Sequence, residues 1–296
     1  MEELSGLNDV VIVDTELAAK LERTEGLASR RFVEARARQS AGSAATWIQV
    51  AGAYAMFDSP DSPITQSFGL GMCGPVTGKD FETIESFFLD RNAPVLFEVS
   101  PLASAETLAL LNDRRYRPIE YTSVMCRRIG PSVSSLAIPH QRISVRTIAP
   151  DESELWAQTS AAGWSEQPEL KEMMLDFGRN FTATVGATAM IVELAGQPIA
   201  TGLVIVADRV ALLAGASTVP FARKQGAQSA LLAARLQHAV QQKCDLAMLC
   251  ASPGSPSQRN AQRNGFQIAY TRTKWQLDFR NSNEIPLLAT KTETRN

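Results

Sequence analysis

A chain of 296 residues is long for one compact core and comfortable for two of about 140 residues each. Its 45% apolar and 20% charged residues are those of an ordinary globular protein, and a net charge of −2 argues against a nucleic-acid partner, because phosphate binding calls for a strongly basic face. The four cysteines, Cys73, Cys126, Cys244 and Cys250, form no CxxC pair and stand at no ligand spacing from the two histidines, so neither a disulfide framework nor a metal site is expected. They read as free, buried thiols. The segment Met1-Glu2-Glu3-Leu4 lacks the basic-then-apolar pattern of a signal peptide, and no apolar run approaches a membrane span. A cytoplasmic protein without a membrane partner is the expectation.

From Asp14 to about Arg38 the chain is rich in Ala, Leu, Glu and Arg without proline, which predicts one or two helices broken near Gly26. A run of β-formers and small residues spans Thr46 to Phe57, and Asp58-Ser59-Pro60-Asp61-Ser62-Pro63 is turn chemistry before a further strand over about Ile64 to Met72. Asp80 to Arg91 is helical, with Phe81, Ile84 and Phe88 on one face. A short apolar strand over Pro94 to Val99, a helix over Ala105 to Leu111 and a strand over Ile119 to Arg127 complete this half. Gly130 to Gln141, rich in Ser, Pro and Gly, is the candidate linker.

The second half opens with a strand over Ile143 to Ile148. Asp151, followed three residues on by Glu154, reads as the N-cap of a helix with a capping box. A second helix covers about Pro168 to Asn180. Strands over Ala187 to Leu194 and Ile199 to Val206 flank the turn Ala195-Gly196-Gln197-Pro198, and Val210 to Ser217 continues the meander. Gly226 to Lys243 is a long helix burying Leu232, Leu236, Ala239 and Val240. A buried strand over Asp245 to Ala251, a short helix over Ser257 to Asn264 and a strand over Phe266 to Leu277 follow. The halves end alike: Arg114-Arg115-Tyr116 leads into one last strand as Asn264-Gly265-Phe266 leads into the other, and Gly74-Pro75 and Val219-Pro220 each leave a strand for a helix. An internal duplication accounts for that order.

The sharpest local signal is Ser217-Thr218-Val219-Pro220-Phe221-Ala222-Arg223-Lys224-Gln225-Gly226-Ala227-Gln228-Ser229. A strand ends, a proline turns the chain, and a loop with one glycine opens a long helix. The first turn of a helix has N–H groups without partners and sits at the positive end of its dipole, which suits a pyrophosphate. Gly226 lets the backbone approach an anion closely, and Arg223 and Lys224 add charge beside it. Alone, this fragment reads equally as a plain strand-to-helix connection. With the surrounding order of strand, two helices, three meander strands, loop-helix, strand, helix and strand, residues 142–280 resemble the GNAT N-acetyltransferases. Arg223, Lys224, Gln225, Gly226 and Ala227 fit that family's coenzyme A loop, with Gln228 in place of its second Gly or Ala.

The resemblance implies an α/β fold with a mixed α+β sheet, in two GNAT-like domains. Each would be a mostly antiparallel meander with a coenzyme-type loop-helix and flanking helices, over 1–129 and 142–280, with a linker at 130–141 and a tail at 281–296. It implies acetyl-CoA as co-substrate, no metal, and a small-molecule amine as acceptor. The loop residues through Ser229 would hold the pyrophosphate, and Ala216, Ser217 and Thr218 would pair with the pantetheine. The first half, reading Val76-Thr77-Gly78-Lys79-Asp80-Phe81, displaces the glycine and sets Asp80 near any phosphate. It resembles a degenerate copy, a layout similar to that of mycothiol synthase.

Many family members place a tyrosine in the last helix; the matching position is Ala261. Ser257 remains as a polar candidate there, and Asn260 reads either as a pantetheine contact or as a capping or solvated residue. His238, His140 and Glu193 read as packing or surface groups. Trp164 and Glu166, between the first two helices of the half, read as acceptor-pocket residues or, for Trp164, as a core residue. Glu98, a carboxylate on an apolar strand, needs a partner or a purpose and is a candidate acceptor contact. Two other functions stay open. The missing tyrosine suits a non-catalytic acyl-CoA sensor or scaffold. An aminoacyl-tRNA-dependent transferase is disfavoured by the acidic charge balance.

Overall fold

The computed structural model describes residues 11–130, 133 and 142–278. Helix α1 (Thr15–Gln39) starts where Asp14, in extended backbone, accepts the Leu17 N–H at 2.8 Å. It runs through Gly26 without a break, contrary to the expectation from that glycine. The physical reason is a close approach: a Cβ at Gly26 would lie 2.8 Å from Cδ2 of Tyr54. Strands β1 (Thr46–Val50) and β2 (Ala53–Phe57) form a hairpin whose turn residues, Ala51 and Gly52, have φ of 47° and 80°. Strand β3 (Gln66–Phe68) is shorter than expected because Gly69 and Gly71, at φ 84° and 73°, turn the chain away. Then come α2 (Gly78–Leu89), β4 (Leu96–Val99), α3 (Ala105–Asp113) and β5 (Tyr116–Arg128).

The second half contains β6 (Ile143–Thr147), α4 (Ser153–Ala162), α5 (Lys171–Thr182), β7 (Ala187–Leu194), β8 (Gln197–Ala207), β9 (Val210–Thr218), α6 (Ala227–Gln241), β10 (Leu246–Ala251), α7 (Pro256–Arg263) and β11 (Gln267–Leu277). The capping box ahead of α4 differs from the expected one. Pro150–Glu152 is a single 3₁₀ turn, and Glu152, not Glu154, reaches back to accept the Ala149 N–H at 2.7 Å. Glu154 pairs instead with Arg179 of α5 at 2.7 Å. The proposed linker, Gly130 and Val133 apart, and the tail at 281–296 lie outside the described residues, as does His140.

All the strands among the described residues join one eleven-stranded sheet of order β1-β2-β3-β4-β11-β5-β10-β9-β8-β7-β6. The order is palindromic apart from β6, an additional outer strand. Each half has a parallel pair, β3 with β4 and β9 with β10. Between these pairs the last strands have changed places: β11 lies against β4 and β5 against β10, all antiparallel, with β5 and β11 paired to each other over most of their length. This exchange makes the two halves share one sheet and places α1 of the first half over strands of the second.

Side chains alternate across β8 and assign the helices to faces. Leu203 packs on Trp156 of α4, whereas Val204 packs with Leu231 of α6. Trp156 is fully buried and donates its Nε1–H to the Met190 carbonyl at 2.9 Å. Gly178 lets α5 cross α4 closely, since a Cβ there would meet Ala157 Cα at 2.7 Å. Phe177 and Phe181 of α5 close on Phe32 of α1 with ring centroids 5.5 and 4.8 Å apart. Burial of each such ring contributes roughly 1.5–3 kcal/mol, and these contacts lock α1 to the second half. Phe81, Ile84 and Phe88 are buried as their spacing requires. Of the cysteines, Cys126 and Cys244 are buried free thiols, but Cys250 is half-buried and Cys73, on the Gly-rich turn after β3, is exposed.

Candidate active site

Strands β9 and β10 are paired only from Val210–Leu212 to Leu246–Met248. Past that point they part, and a cleft opens between them. On its other edge β9 carries a bulge: Leu203 faces Ala214 and Thr201 faces Ser217, so Gly202 stands opposite both Gly215 and Ala216. Gly215 has φ 60°, the left-handed conformation such a bulge requires. A bulge leaves an extra residue outside the regular ladder, and here it falls where the cleft opens. The cleft is lined by Leu213 to Ala216 of β9, Leu249 and Cys250 of β10, Gln228, Leu232 and Arg235 of α6, and Ser257, Asn260 and Ala261 of α7.

At the mouth, Val219 is tied to β8 through its N–H and the Ile199 carbonyl, at 2.9 Å, and Pro220–Ala222 makes one 3₁₀ turn. Lys224 and Gly226 then take φ of 62° and 86°, and α6 begins without a side-chain cap. The first-turn N–H groups of Ala227, Gln228 and Ser229 are thus presented at the positive end of the helix beside the cleft. The departure at Gln228 has a local explanation: its Nε2 donates to the Thr218 hydroxyl at 2.6 Å and the Ser217 carbonyl at 3.2 Å, fastening the helix to the strand end. Gln225 donates to the Phe221 carbonyl at 3.0 Å and stays outside. Ser217 donates its hydroxyl to the Ser160 carbonyl at 2.7 Å, and Gly163 permits that contact, since a Cβ there would overlap the Ser217 hydroxyl.

Arg223, expected to lend its charge to a phosphate, donates to the Gly163 carbonyl at 2.9 Å and pairs with Glu166 at 2.5 Å. The sequence order hid this, because Glu166 lies 57 residues upstream. Glu166 and Trp164, the latter 38% exposed, therefore stand beside the loop through Arg223. Asn260 does not cap α7; Ser255 does, accepting the Gln258 N–H at 3.1 Å. Asn260 and Ser257 face the cleft beside Ala261. His238 is off the cleft and shares a hydrogen bond with the Thr188 hydroxyl at 3.2 Å. Glu193 pairs with Arg146 at 2.9 Å. Glu98 does not line the cleft. It is 3% exposed and accepts from Arg272 at 2.9 Å, the partner that a buried carboxylate needs.

Arg272, on β11, is the centre of a buried charge cluster that the sequence reading missed. Its guanidinium also meets Glu25 at 2.7 Å and Glu22 at 3.3 Å, and lies over the Phe68 ring at 4.8 Å. Tyr270 donates to Glu22 at 2.8 Å. Burial pushes the Glu22 carboxyl up to about 7 despite Arg272. Glu25, on which burial acts the same way, is nonetheless held below the usual range by Arg272. The cluster touches the cleft through Cys250, whose thiol donates to Glu25 at 3.1 Å and which burial keeps protonated. A signal for it did exist: Glu22 and Glu25 share a helical face with Ala18, Leu21 and Phe32. The other missed residue is Arg235, buried on the α6 side of the cleft at 4% exposure. Among the described residues no His, Cys, Asp and Glu cluster has the geometry for a metal ion, and no helix is long and apolar enough to cross a membrane.

The corresponding helix start in the first half is closed. Thr77 accepts the Asp80 N–H at 3.3 Å and Asp80 accepts the Thr77 N–H at 2.8 Å, so the helix's own carboxylate occupies the place of an anion.

No protein-family model matches the sequence, and a search of curated proteins returned no match. Solved structures do match in fold. A GCN5-related N-acetyltransferase from Kribbella flavida aligns with a TM-score of 0.58 at 18% identity, over 84% of this chain and 95% of its own. A tandem GNAT protein from the clavulanic acid biosynthesis pathway aligns with a TM-score of 0.56 at 13% identity, over 77% and 79%. A GCN5-related N-acetyltransferase from Sphaerobacter thermophilus aligns with a TM-score of 0.50 at 16% identity, over 76% of each chain. At these identities the likeness is one of architecture, and the fold of this chain is that of the GCN5-related N-acetyltransferases in tandem.

Proposed function

We propose that the chain is an acyltransferase that moves an acyl group from acyl-CoA to the amine of a small molecule, using the cleft of its C-terminal repeat. The repeats would be residues 1–129 and 142–280, joined by 130–141. The observation that carries the reading is the convergence of three backbone features on one cleft: parted parallel strands, a bulge at Gly215, and a helix start without a side-chain cap at Gly226. Acyl-CoA supplies an activated thioester. The N–H groups of Gly226 to Ser229 hold its pyrophosphate, the main chain of Ala216 to Thr218 pairs with its pantetheine, and Asn260 adds a side-chain contact. A backbone N–H at the bulge donates to the thioester carbonyl and stabilises the charge that builds on its oxygen as the amine attacks.

In this reading α1, α4 and the Trp164–Glu166 segment border the acceptor side, so the first repeat shapes the acceptor pocket without binding coenzyme. Deprotonation of the acceptor ammonium runs through water or precedes binding, and the departing thiolate needs no obligatory acid. Positioning two reactants in line supplies much of the rate. Release of free CoA thiol, followed with a panel of small amines, tests the proposal; amine-dependent release from acetyl-CoA is expected. Ala261, in the place of a tyrosine, favours a second reading, a non-catalytic acyl-CoA sensor. Tight coenzyme binding with no release for any amine would select it.

A further inference from the structure

Arg235 is the cation of the cleft wall. It projects from the third turn of α6, two turns beyond Gln228, and its guanidinium packs where a Cβ on Gly202 would come within 3.2 Å of Nη1. That places it beside the β9 bulge, at the inner end of the cleft, while the helix start lies at the mouth. It is 4% exposed. Among the described residues its one hydrogen bond is a long one, from Nη1 to the Ala214 carbonyl at 3.4 Å, and its buried Nε has no acceptor. Every other deeply buried cation or carboxylate described here has an opposite charge: Arg272 has three carboxylates, and Glu22, Glu85 and Glu98 each have an arginine. Arg235 has none, and burial lowers its pKa only to about 10, so the charge persists at neutral pH.

A buried, uncompensated charge is costly, and a ligand that brings the counter-charge offsets that cost. The coenzyme's own phosphates are accounted for at the start of α6, two helical turns away. The anion that can reach Arg235 is one carried on the acyl group. Resting on the acyl-CoA reading of this cleft, we propose that the preferred donor is a dicarboxylic acyl-CoA, of malonyl or succinyl type, whose free carboxylate is bound by Arg235. A fixed guanidinium suits a carboxylate because its N–H groups form a planar fork.

Calorimetric titration of the full chain with CoA, acetyl-CoA, malonyl-CoA and succinyl-CoA tests this without relying on turnover. Malonyl-CoA or succinyl-CoA is expected to bind at least tenfold more tightly than acetyl-CoA, and acetyl-CoA to bind within about threefold of CoA. Arg235→Gln is expected to bring the four ligands within about threefold of one another, and Arg235→Lys to restore part of the preference. Acetyl-CoA binding as tightly as both dicarboxylic ligands in the unaltered protein would overturn the proposal, whatever the variants do. Failure of CoA itself to bind would overturn the coenzyme reading and this inference with it, a result distinct from binding without preference.

Discussion

Glu22→Gln isolates the buried carboxyl at the heart of the cluster. The Gln side chain keeps an acceptor for the Tyr270 hydroxyl, which meets Glu22 at 2.8 Å, and removes the titration together with the carboxylate charge that faces Arg272 at 3.3 Å. Burial raises the Glu22 pKa from 4.5 to about 7 in the folded protein. The sign follows directly. Below the unfolded pKa both states hold the proton and nothing is lost. As pH rises toward the folded pKa, the unfolded chain releases its proton and the folded chain does not, so stability falls. Above it the full loss is present. At about 1.4 kcal/mol per unit, the shift corresponds to about 3 kcal/mol. Urea unfolding at intervals from pH 4.5 to 8 measures this as the difference between the original protein and Glu22→Gln, which cancels the groups that titrate in both. That difference is expected to change by about 3 kcal/mol across the range, in favour of the variant at high pH. A difference that stays flat would show that Glu22 titrates alike in both states and that the cluster does not hold it in an apolar setting.

Further predictions concern the loop and the chemistry. Gly163→Ala sets a Cβ within 3.0 Å of the Thr218 amide and onto the Ser217 hydroxyl; it is expected to cost about 1–3 kcal/mol in chemical unfolding. Arg223→Ala removes a pair with Glu166 that is more than a third exposed on both sides, so thermal unfolding is expected to register less than about 1 kcal/mol. Ser257→Ala is expected to reduce turnover by roughly tenfold or less, below the usual worth of a general acid, and a loss above about a thousandfold at unchanged acyl-CoA affinity would make that serine the proton donor. His238→Ala, away from the cleft, is expected to leave the rate and its pH profile in place, the rate rising toward the acceptor amine's pKa without a second limb.

The sequence carried the order of elements because burial imposes a period on each one. Phe81, Ile84 and Phe88 declare a helix, and the Ala195-Gly196 turn declares a hairpin. The strand-to-helix connection ahead of α6 was equally legible, since its proline, glycine and following helix are contiguous. What was hidden depends on neighbours distant in the chain. The exchange of β5 and β11 leaves no mark, because an apolar strand packs as well beside one neighbour as another. Gly26 read as a helix break because the Tyr54 ring that requires it comes from a strand formed 28 residues later. Glu22 and Glu25 give no local sign of their role, because their partner Arg272 lies at the far end of the chain, about 250 residues on. Arg235 was not singled out by the sequence pattern, although its place between Leu232 and Leu236 puts it close to the apolar face.

The account turns on one competent coenzyme site, formed by the loop at Gly226 and not by its counterpart at Gly78. Isothermal titration with CoA measures this directly, with far-UV circular dichroism confirming that each variant is folded. The account predicts one site per chain, lost in Gly226→Asp, where a side chain in a φ 86° conformation and a negative charge both enter the phosphate loop, and retained in Gly78→Asp. Two equivalent sites per chain, or a folded Gly226→Asp protein that binds CoA as the original does, would contradict it.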